Sequence, residues 1–379
     1  MKKKLLYVIN HLRMGAVPNI LLEIIPYITS TSSYDVKLLS LQKVEDPYLI
    51  DKLKTYSIEY DDLGLKRRDV LYIYPKLKKY FKVHRPDIIH SNLGRADIFS
   101  SICKNKDSKL ITTFHSVRSN YNFFTRLGYT LTDNRVSMRT AVSNSVKKSW
   151  EEKGYLRKDI RTVYNPVSIS QNITPIQMQI LKEELNISEN DILITNVGNI
   201  RKQKGQIYLI KALKILINKY PNIKLLIAGR PGDAYEELVE EINKLELKEY
   251  VYLVGFRNDI SSILSISDVF VFPSKTEGLG ISVLEAMASK VPVVASNIES
   301  IAEYLIDGKD GLLFKYNDVE EIAKQIEKIL DNPIIAKELV GNAFTKINNI
   351  FNSKVIAEQY LDLYDKLTIN DDRLLEIKK

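Results

Sequence analysis

Two glutamates, Glu277 and Glu285, bracket a glycine-rich turn in SKTEGLGISVLEAMASKVPVVAS (274–296). Gly278 and Gly280 permit close backbone approach, and Ile281 opens a helix that must have ended by Pro292. The N–H groups at that helix start suit an anion, and the helix dipole favours one. Glu285 lies about one turn inside, where a carboxylate suits the two hydroxyls of a ribose. The plainer reading is that Glu285 only complements the dipole and the glycines only make a turn.

A second candidate is VGNIRKQKGQ (197–206), a strand end that presents Arg201, Lys202 and Lys204 before Gly205. Cations at a strand's carboxyl end would converge on a diphosphate; otherwise this is a solvated basic loop. AGRPGD (228–233) and VGFRND (254–259) place glycine just past a strand, where a base or phosphate can approach the backbone. In the first half, NHLRMGAVPN (10–19) carries Gly15 but no G-x-G-x-x-G, so a dinucleotide fingerprint is not supported. TTFHSVRSN (112–120) ends a strand with His115, although a lone histidine is more often structural than catalytic. His90 reads as a buried, hydrogen-bonded histidine. Walker A, G-x-S-x-G, H-E-x-x-H and zinc spacings are absent. No Asp-x-Asp stands at a strand end, which weakens any metal–diphosphate clamp. The single cysteine, Cys103, excludes an intrachain disulfide and a multi-cysteine metal site.

Short apolar runs followed by amphipathic stretches must position these residues. LLYVI (5–9), DIIH (87–90), LITTF (110–114) and TAVS (140–143) alternate with helix-like segments. ILITNVG (192–198), IKLLIAG (223–229), YVYLVGF (250–256), DVFVFPS (268–274), VPVVAS (291–296) and DGLLF (310–314) repeat the pattern. Buried parallel strands with covering helices follow. The 379 residues fit two to three domains. YNPVSISQNITP (164–175) reads as the linker, giving domains 1–165 and 166–379, with the last helix either in the second or packed back on the first. The site is expected in the cleft between them.

The formal net charge is +8, but residues 1–165 carry 30 Lys and Arg against 16 Asp and Glu, leaving the remainder at −6. One half should therefore meet something anionic: nucleic acid, a membrane surface or a phosphorylated substrate. The apolar run after Lys2, Lys3 and Lys4 is too short for a signal core or for the ~20 residues of a span.

Glu277-Gly278-Leu279-Gly280 … Leu284-Glu285-Ala286-Met287-Ala288 resembles E-G-(L/F)-G-x-x-x-L-E-A-M-A, the hallmark of the retaining glycosyltransferases of family 4. VGNIRKQKG is similar to that family's VGR-(4)-KG loop, and VYLVGFRND (251–259) to its V-x-F-x-G-x-x-x-D segment. DGKDGLLF (307–314), DIIHSN (87–92), TTFH (112–115), TAVSNSV (140–146) and VYNPVS (163–168) resemble further landmarks in order.

The resemblance implies an α/β chain of the GT-B fold: two doubly wound Rossmann-like domains facing across a cleft, the first for acceptor and the second for nucleotide-sugar. It implies sugar transfer from a UDP- or GDP-linked donor, with retention at the anomeric carbon and neither metal nor cofactor. Carried over by motif, Glu285 is the ribose ligand and Glu277 the carboxylate near the donor sugar. The backbone at Leu279, Gly280 and Ile281 is the diphosphate seat, and Gly278 belongs with the nucleotide-sugar-binding residues. Lys204 is the diphosphate lysine, and His115 the first-domain histidine near the reacting sugar. Gly15 falls in the loop next to the diphosphate, and Asn199 and Phe256 in nucleotide-sugar segments. Three segments depart from the pattern, the first-domain loop at two places. Asn199 replaces the arginine of VGR, with Arg201 placed to supply that charge. Met14-Gly15 and Glu299-Ser300 replace Gly-Gly pairs, and Pro18-Asn19 replaces Glu-Arg.

LGLKRRDVLYIYPKLKKYFKVHRP (63–86) sets Lys66, Arg67, Arg68, Lys76, Lys78, Lys79 and Lys82 on or beside one helix, with Leu71, Ile73, Tyr74, Leu77 and Phe81 as apolar members. Such helices sit on anionic membranes, or pack on their own sheet with a solvated basic face. RSNYNFFTRLGYTLTDNR (118–135) suits the acceptor side. The expectation is a cytoplasmic hexosyl- or N-acetylhexosaminyltransferase, peripheral to the inner face of the membrane. Its acceptor would be a membrane-linked glycan or lipid in bacterial capsule, exopolysaccharide, O-antigen or glycolipid synthesis, and nucleic acid would not be a partner. A catalytically silent subunit that binds nucleotide-sugar or another transferase is the alternative. Asn199 is its best support, and Glu277, Lys204 and Glu285 speak against it.

Overall fold

LLYVI (5–9) and VFVF (269–272) are buried along their whole length, as strands covered by helices on both faces must be. The computed structural model describes the chain apart from residues 1, 153, 155, 157, 158, 170–172 and 377–379, and apart from the side chains of 369–376. It divides into two compact units, Met1–Pro166 with Phe351–Lys379, and Val167–Ile350. The expected linker 164–175 straddles that division and lies partly outside the described residues.

Unit 1 holds β1 (Lys3–Ile9), β2 (Tyr34–Gln42), β3 (Tyr60–Leu65), β4 (Ile88–Asn92), β5 (Lys109–Phe114), β6 (Met138–Ala141) and β7 (Ile160–Thr162). They pair in the order β3-β2-β1-β4-β5-β6-β7, parallel throughout. Its helices are α1 (Ala16–Thr31), α2 (Pro47–Thr55), α3 (Ile73–His84), α4 (Gly94–Cys103), α5 (Phe123–Leu131) and α6 (Asn144–Glu151).

Unit 2 holds β8 (Ile192–Val197), β9 (Ile223–Ala228), β10 (Val251–Gly255), β11 (Val269–Phe272), β12 (Val293–Ser296) and β13 (Leu312–Phe314). Their order is β10-β9-β8-β11-β12-β13, again parallel. The helices are α7 (Pro175–Glu184), α8 (Gln206–Leu216), α9 (Tyr235–Lys244), α10 (Ile260–Ser265), α11 (Ile281–Ala288), α12 (Glu299–Ala302), α13 (Val319–Asp331) and α14 (Pro333–Lys346). In both sheets the strand order reverses beside the first strand, at β1/β4 and at β8/β11. In doubly wound sheets ligands bind at such reversals, outside the carboxyl ends of the strands.

A π-helical turn, Ile347–Phe351, leads into α15 (Ser353–Glu376), which belongs to unit 1. Buried hydroxyls explain why this distant segment returns there. The Tyr7 and Tyr364 hydroxyls lie 2.7 Å apart, and His90 Nδ1 meets Tyr364 Oη at 2.6 Å. His90 Nε2 meets Thr113 Oγ1 at 2.7 Å, so both ring nitrogens are spent and burial holds the ring neutral. At the edge, Tyr27 Oη donates to Glu358 and Ser353 Oγ to Glu23, tying α15 to α1. Second-unit boundaries therefore stop at Ile350 rather than at the end of the chain, because Tyr360 and Tyr364 find their polar partners in the first sheet. Among the described residues no helix is long and apolar enough to cross a membrane.

Candidate active site

The reversal in unit 2 lies between the loops that follow β8 and β11. Gly205 makes their contact feasible. Its φ is +66°, and a Cβ there would stand 2.1 Å from the Pro273 carbonyl oxygen, so only glycine fits. Lys275 N–H donates to the Gln203 carbonyl at 2.7 Å and bolts the two loops together. Gln206 Nε2 donates to the carbonyls of Gly198 and Asn199 at 3.3 Å each, holding the first loop's curve.

On this scaffold Lys204 and Glu277, 73 residues apart in sequence, meet at 2.7 Å. Their side chains keep about a fifth and an eighth of their exposure, so the pair is reachable but partly desolvated. Lys204 Nζ also sits 5.3 Å over the Phe272 ring. Arg201 is exposed and forms no ion pair among the described residues. Asn199 is spent locally: its Oδ1 accepts from Arg230 N–H at 3.1 Å.

α8 and α11 both open on left-handed glycines, Gly205 and Gly280, with no side-chain cap. By contrast, Asp318 caps α13. The first N–H groups of α8 and α11 therefore lack the side-chain acceptor that α13 has. Gly280, at φ +76°, leaves no room for a Cβ, which would stand 2.6 Å from Ile301 Cδ1. The Leu279 carbonyl is held by the Tyr304 hydroxyl at 3.0 Å. Gly278 and Ile281 complete the turn.

Glu285 stands one turn into α11, half-buried, and no hydrogen bond or ion pair engages its carboxylate among the described residues. Burial alone pushes its carboxyl up to about 7. Phe256 lies past β10, with its ring 45% exposed and the Arg230 guanidinium 3.9 Å above it. Three strand spacings separate β10 from β11, or about 14 Å.

Unit 1 carries the other expected residues. Gly15 caps α1 in an extended conformation, exposed and unstrained. His115 follows β5, its Nε2–H donating to Asn92 Oδ1 at 2.8 Å. Burial lowers its pKa to about 4, so the ring is neutral. Sequence reasoning passed over Asn92 and His11. His11 follows β1, and its Nδ1 is buried without a hydrogen-bond partner among the described residues. Burial first, then Arg13 and Arg67, lowers its pKa. Both lie inside segments singled out above, NHLRMGAVPN (10–19) and DIIHSN (87–92), and their position at the ends of adjacent strands is the signal that could have flagged them.

In the basic segment 63–86, Lys66, Arg67 and Arg68 stand beside α3, ahead of its start, and Lys76, Lys78, Lys79 and Lys82 lie on it. Ile73, Leu77 and Phe81 are core residues under unit 1's sheet, so α3 packs on its own unit. Lys76 and Lys78 donate to the carbonyls of Leu63 and Cys103. Leu71 and Tyr74, also counted among the segment's apolar members, are exposed, and α5 carries a further exposed apolar face: Phe124 is 81% and Leu131 73% accessible, with Phe123 and Leu127 beside them.

A doubly wound unit with an ion pair and two uncapped helix starts at its strand-order reversal has the features of a nucleotide-phosphate site. The model for glycosyl transferases group 1 matches residues 177–346, and that for glycosyltransferase family 4 matches 35–171. The chain belongs to these glycosyltransferases, and its fold is that of the GT-B members. It is 31% identical to putative glycosyltransferase EpsD of Bacillus subtilis, over 51% of this chain and 50% of the relative. It is also 31% identical to the Escherichia coli UDP-Gal:alpha-D-GlcNAc-diphosphoundecaprenol alpha-1,3-galactosyltransferase, over 56% and 55%. The chain thus spans about half the length of these curated relatives. Among solved structures, Anabaena HepE in complex with UDP and glucose superposes with a TM-score of 0.84 at 20% identity, covering 96% of this chain and all of that one.

Proposed function

We propose that the protein is a retaining, metal-independent glycosyltransferase that moves a hexosyl or N-acetylhexosaminyl group from a UDP- or GDP-sugar to a membrane-linked glycan or lipid. The observation that carries this reading is the Lys204–Glu277 pair beside the uncapped starts of α8 and α11. A leaving nucleoside diphosphate gains negative charge as its bond to the sugar breaks. Lys204 and the helix N–H groups are held in place to receive that charge, and the exposed Arg201 can add to it. Glu285, whose carboxylate has no partner among the described residues, suits the ribose hydroxyls, and Phe256 under Arg230 offers a ring for the base.

In a front-side displacement the acceptor oxygen bonds to the anomeric carbon as the bond to the diphosphate breaks. The bonding electrons leave with the diphosphate, and a departing phosphate oxygen takes the acceptor proton. His115 and Gly15 would serve the sugar and diphosphate from unit 1. Support for the donor and acceptor classes comes from relatives. One is named for UDP-galactose and a diphosphoundecaprenol-linked acceptor, one for capsular polysaccharide and one for a glucosyldiacylglycerol product. The α5 face, apolar and set within the basic half, fits peripheral contact with an anionic membrane.

A screen of UDP-glucose, UDP-galactose, UDP-N-acetylglucosamine and GDP-mannose on lipid-linked acceptors, with product mass and anomeric configuration read out, tests the proposal. Transfer with retention is the expected result. UDP binding without turnover of any donor would replace it with the silent-subunit reading.

A further inference from the structure

Asn92 ends β4, and His115 directly follows β5, the neighbouring strand. Because His115 Nε2–H donates to Asn92 Oδ1, the tautomer is set and Nδ1 carries a lone pair. That Nδ1 is buried and has no hydrogen-bond partner among the described residues; Asn92 Nδ2 is in the same condition. Buried polar atoms left unpaired cost free energy, and native interiors rarely keep them without a use. Here one is an acceptor and the other a donor, the complement that hydroxyl groups supply.

We propose that Asn92 is a positioning residue: it holds His115 in the Nε2–H tautomer, so that Nδ1 accepts a hydrogen bond from a hydroxyl of the bound sugar. The inference rests on reading His115 as the first-unit residue that faces the reacting sugar. A protonated ring would lose that acceptor, and the surroundings prevent protonation. His90, a titratable neighbour, is neutral with both nitrogens spent. Tyr121 is held protonated by burial, and the backbone of His115 and Ser116 hydrogen-bonds its hydroxyl. Burial alone accounts for the lowered basicity of His115.

The test is nitrogen-15 NMR of the ring nitrogens, run beside kinetics with whichever donor the screen identifies. The chain has four histidines, so His115→Gln assigns the signal. Wild-type His115 should show a neutral Nε2–H ring from pH 5 to 8. Asn92→Asp sets a carboxylate on Nε2–H, so the His115 titration should rise into that window, with transfer falling as the ring protonates. Asn92→Ala should give mixed tautomers and lower kcat by roughly tenfold or more, with UDP affinity within about twofold. An unchanged ring spectrum in Asn92→Asp overturns the positioning role. Should the aspartate fail to fold, a pure Nε2–H tautomer in Asn92→Ala does the same. Full transfer by His115→Gln, with the tautomer responding as described, overturns the proposal through His115 and leaves only the bond.

Discussion

The two sheets share a strand order through six strands and reverse at the same place, yet their reversals carry opposite chemistry. In unit 2 charged groups dominate, Lys204 against Glu277 with Arg201 exposed, and Glu285 has a carboxyl raised to about 7 by burial. In unit 1 the buried groups are neutral: His115, Asn92 and His11, with polar atoms unspent. The bulk charges run the other way, since the first 165 residues are strongly basic and the rest acidic. Net charge thus describes what a surface attracts, and a handful of strand-end residues decides what the site handles. Diphosphate needs fixed positive charge, whereas a neutral sugar needs hydrogen-bonding groups that hold no charge of their own.

The sharpest way to break this contrast is to remove the charges. Lys204→Ala and Glu277→Ala should each lower transfer at least ~100-fold, as losing one preorganised donor does; near-wild-type turnover in either would end its assigned role. Loop glycines should differ as the units do. Gly205→Ala should cost about 2 kcal/mol or more in denaturant melts, because the Pro273 carbonyl blocks its Cβ. Gly15→Ala, extended with open space, should stay within about 0.5 kcal/mol. Equal losses would show that both loops are equally tight.

On membranes, Phe124→Ser with Leu131→Ser should weaken partitioning to phosphatidylglycerol vesicles more than tenfold, at ~1.5–3 kcal/mol per buried large side chain. Neutralising Lys76, Lys78, Lys79 and Lys82 should weaken it as well and leave the fold intact. Partitioning that survives both changes would leave α5 as a merely exposed helix.

The smallest effect concerns Glu285. Its native pKa lies above the ordinary carboxylate value, so the native state holds the proton more tightly than the unfolded chain. Stability is therefore lost as pH rises from about 4.5 to about 7, and the loss is complete above that. Ribose hydroxyls donate to the ionised form, so UDP affinity measured by calorimetry should rise roughly tenfold from pH 6 to 8. Glu285→Gln should flatten that rise; a rise that persists would assign it to another group.

The second half was readable to within a few residues. Runs such as ILITNV and VFVF are apolar throughout, and glycine or proline punctuates them. β2 escaped notice because Asp35, Lys37, Ser40 and Gln42 interrupt YDVKLLSLQ, although Leu38, Leu39 and Leu41 are core. β3, YDDLGL, is an edge strand with two aspartates. Lys204 and Glu277 were legible as parts of motifs, but their contact depends on Gly205 packing under Pro273, which spacing does not reveal. Asn92 ends the landmark DIIHSN, but the motif does not show its partner; strand pairing brings it to His115. In α3 the periodicity was clear, and what it faced was not: a core stripe and a membrane stripe look alike in one dimension.

The return of α15 to unit 1 has a consequence for synthesis. Tyr7 and His90 emerge early from the ribosome, but Tyr364 is translated only after all of unit 2. The first sheet must wait, its central hydroxyl and imidazole groups without their native lid, while the later unit can already complete its own core. Maturation of this chain therefore runs against the usual order in which amino-terminal domains finish first.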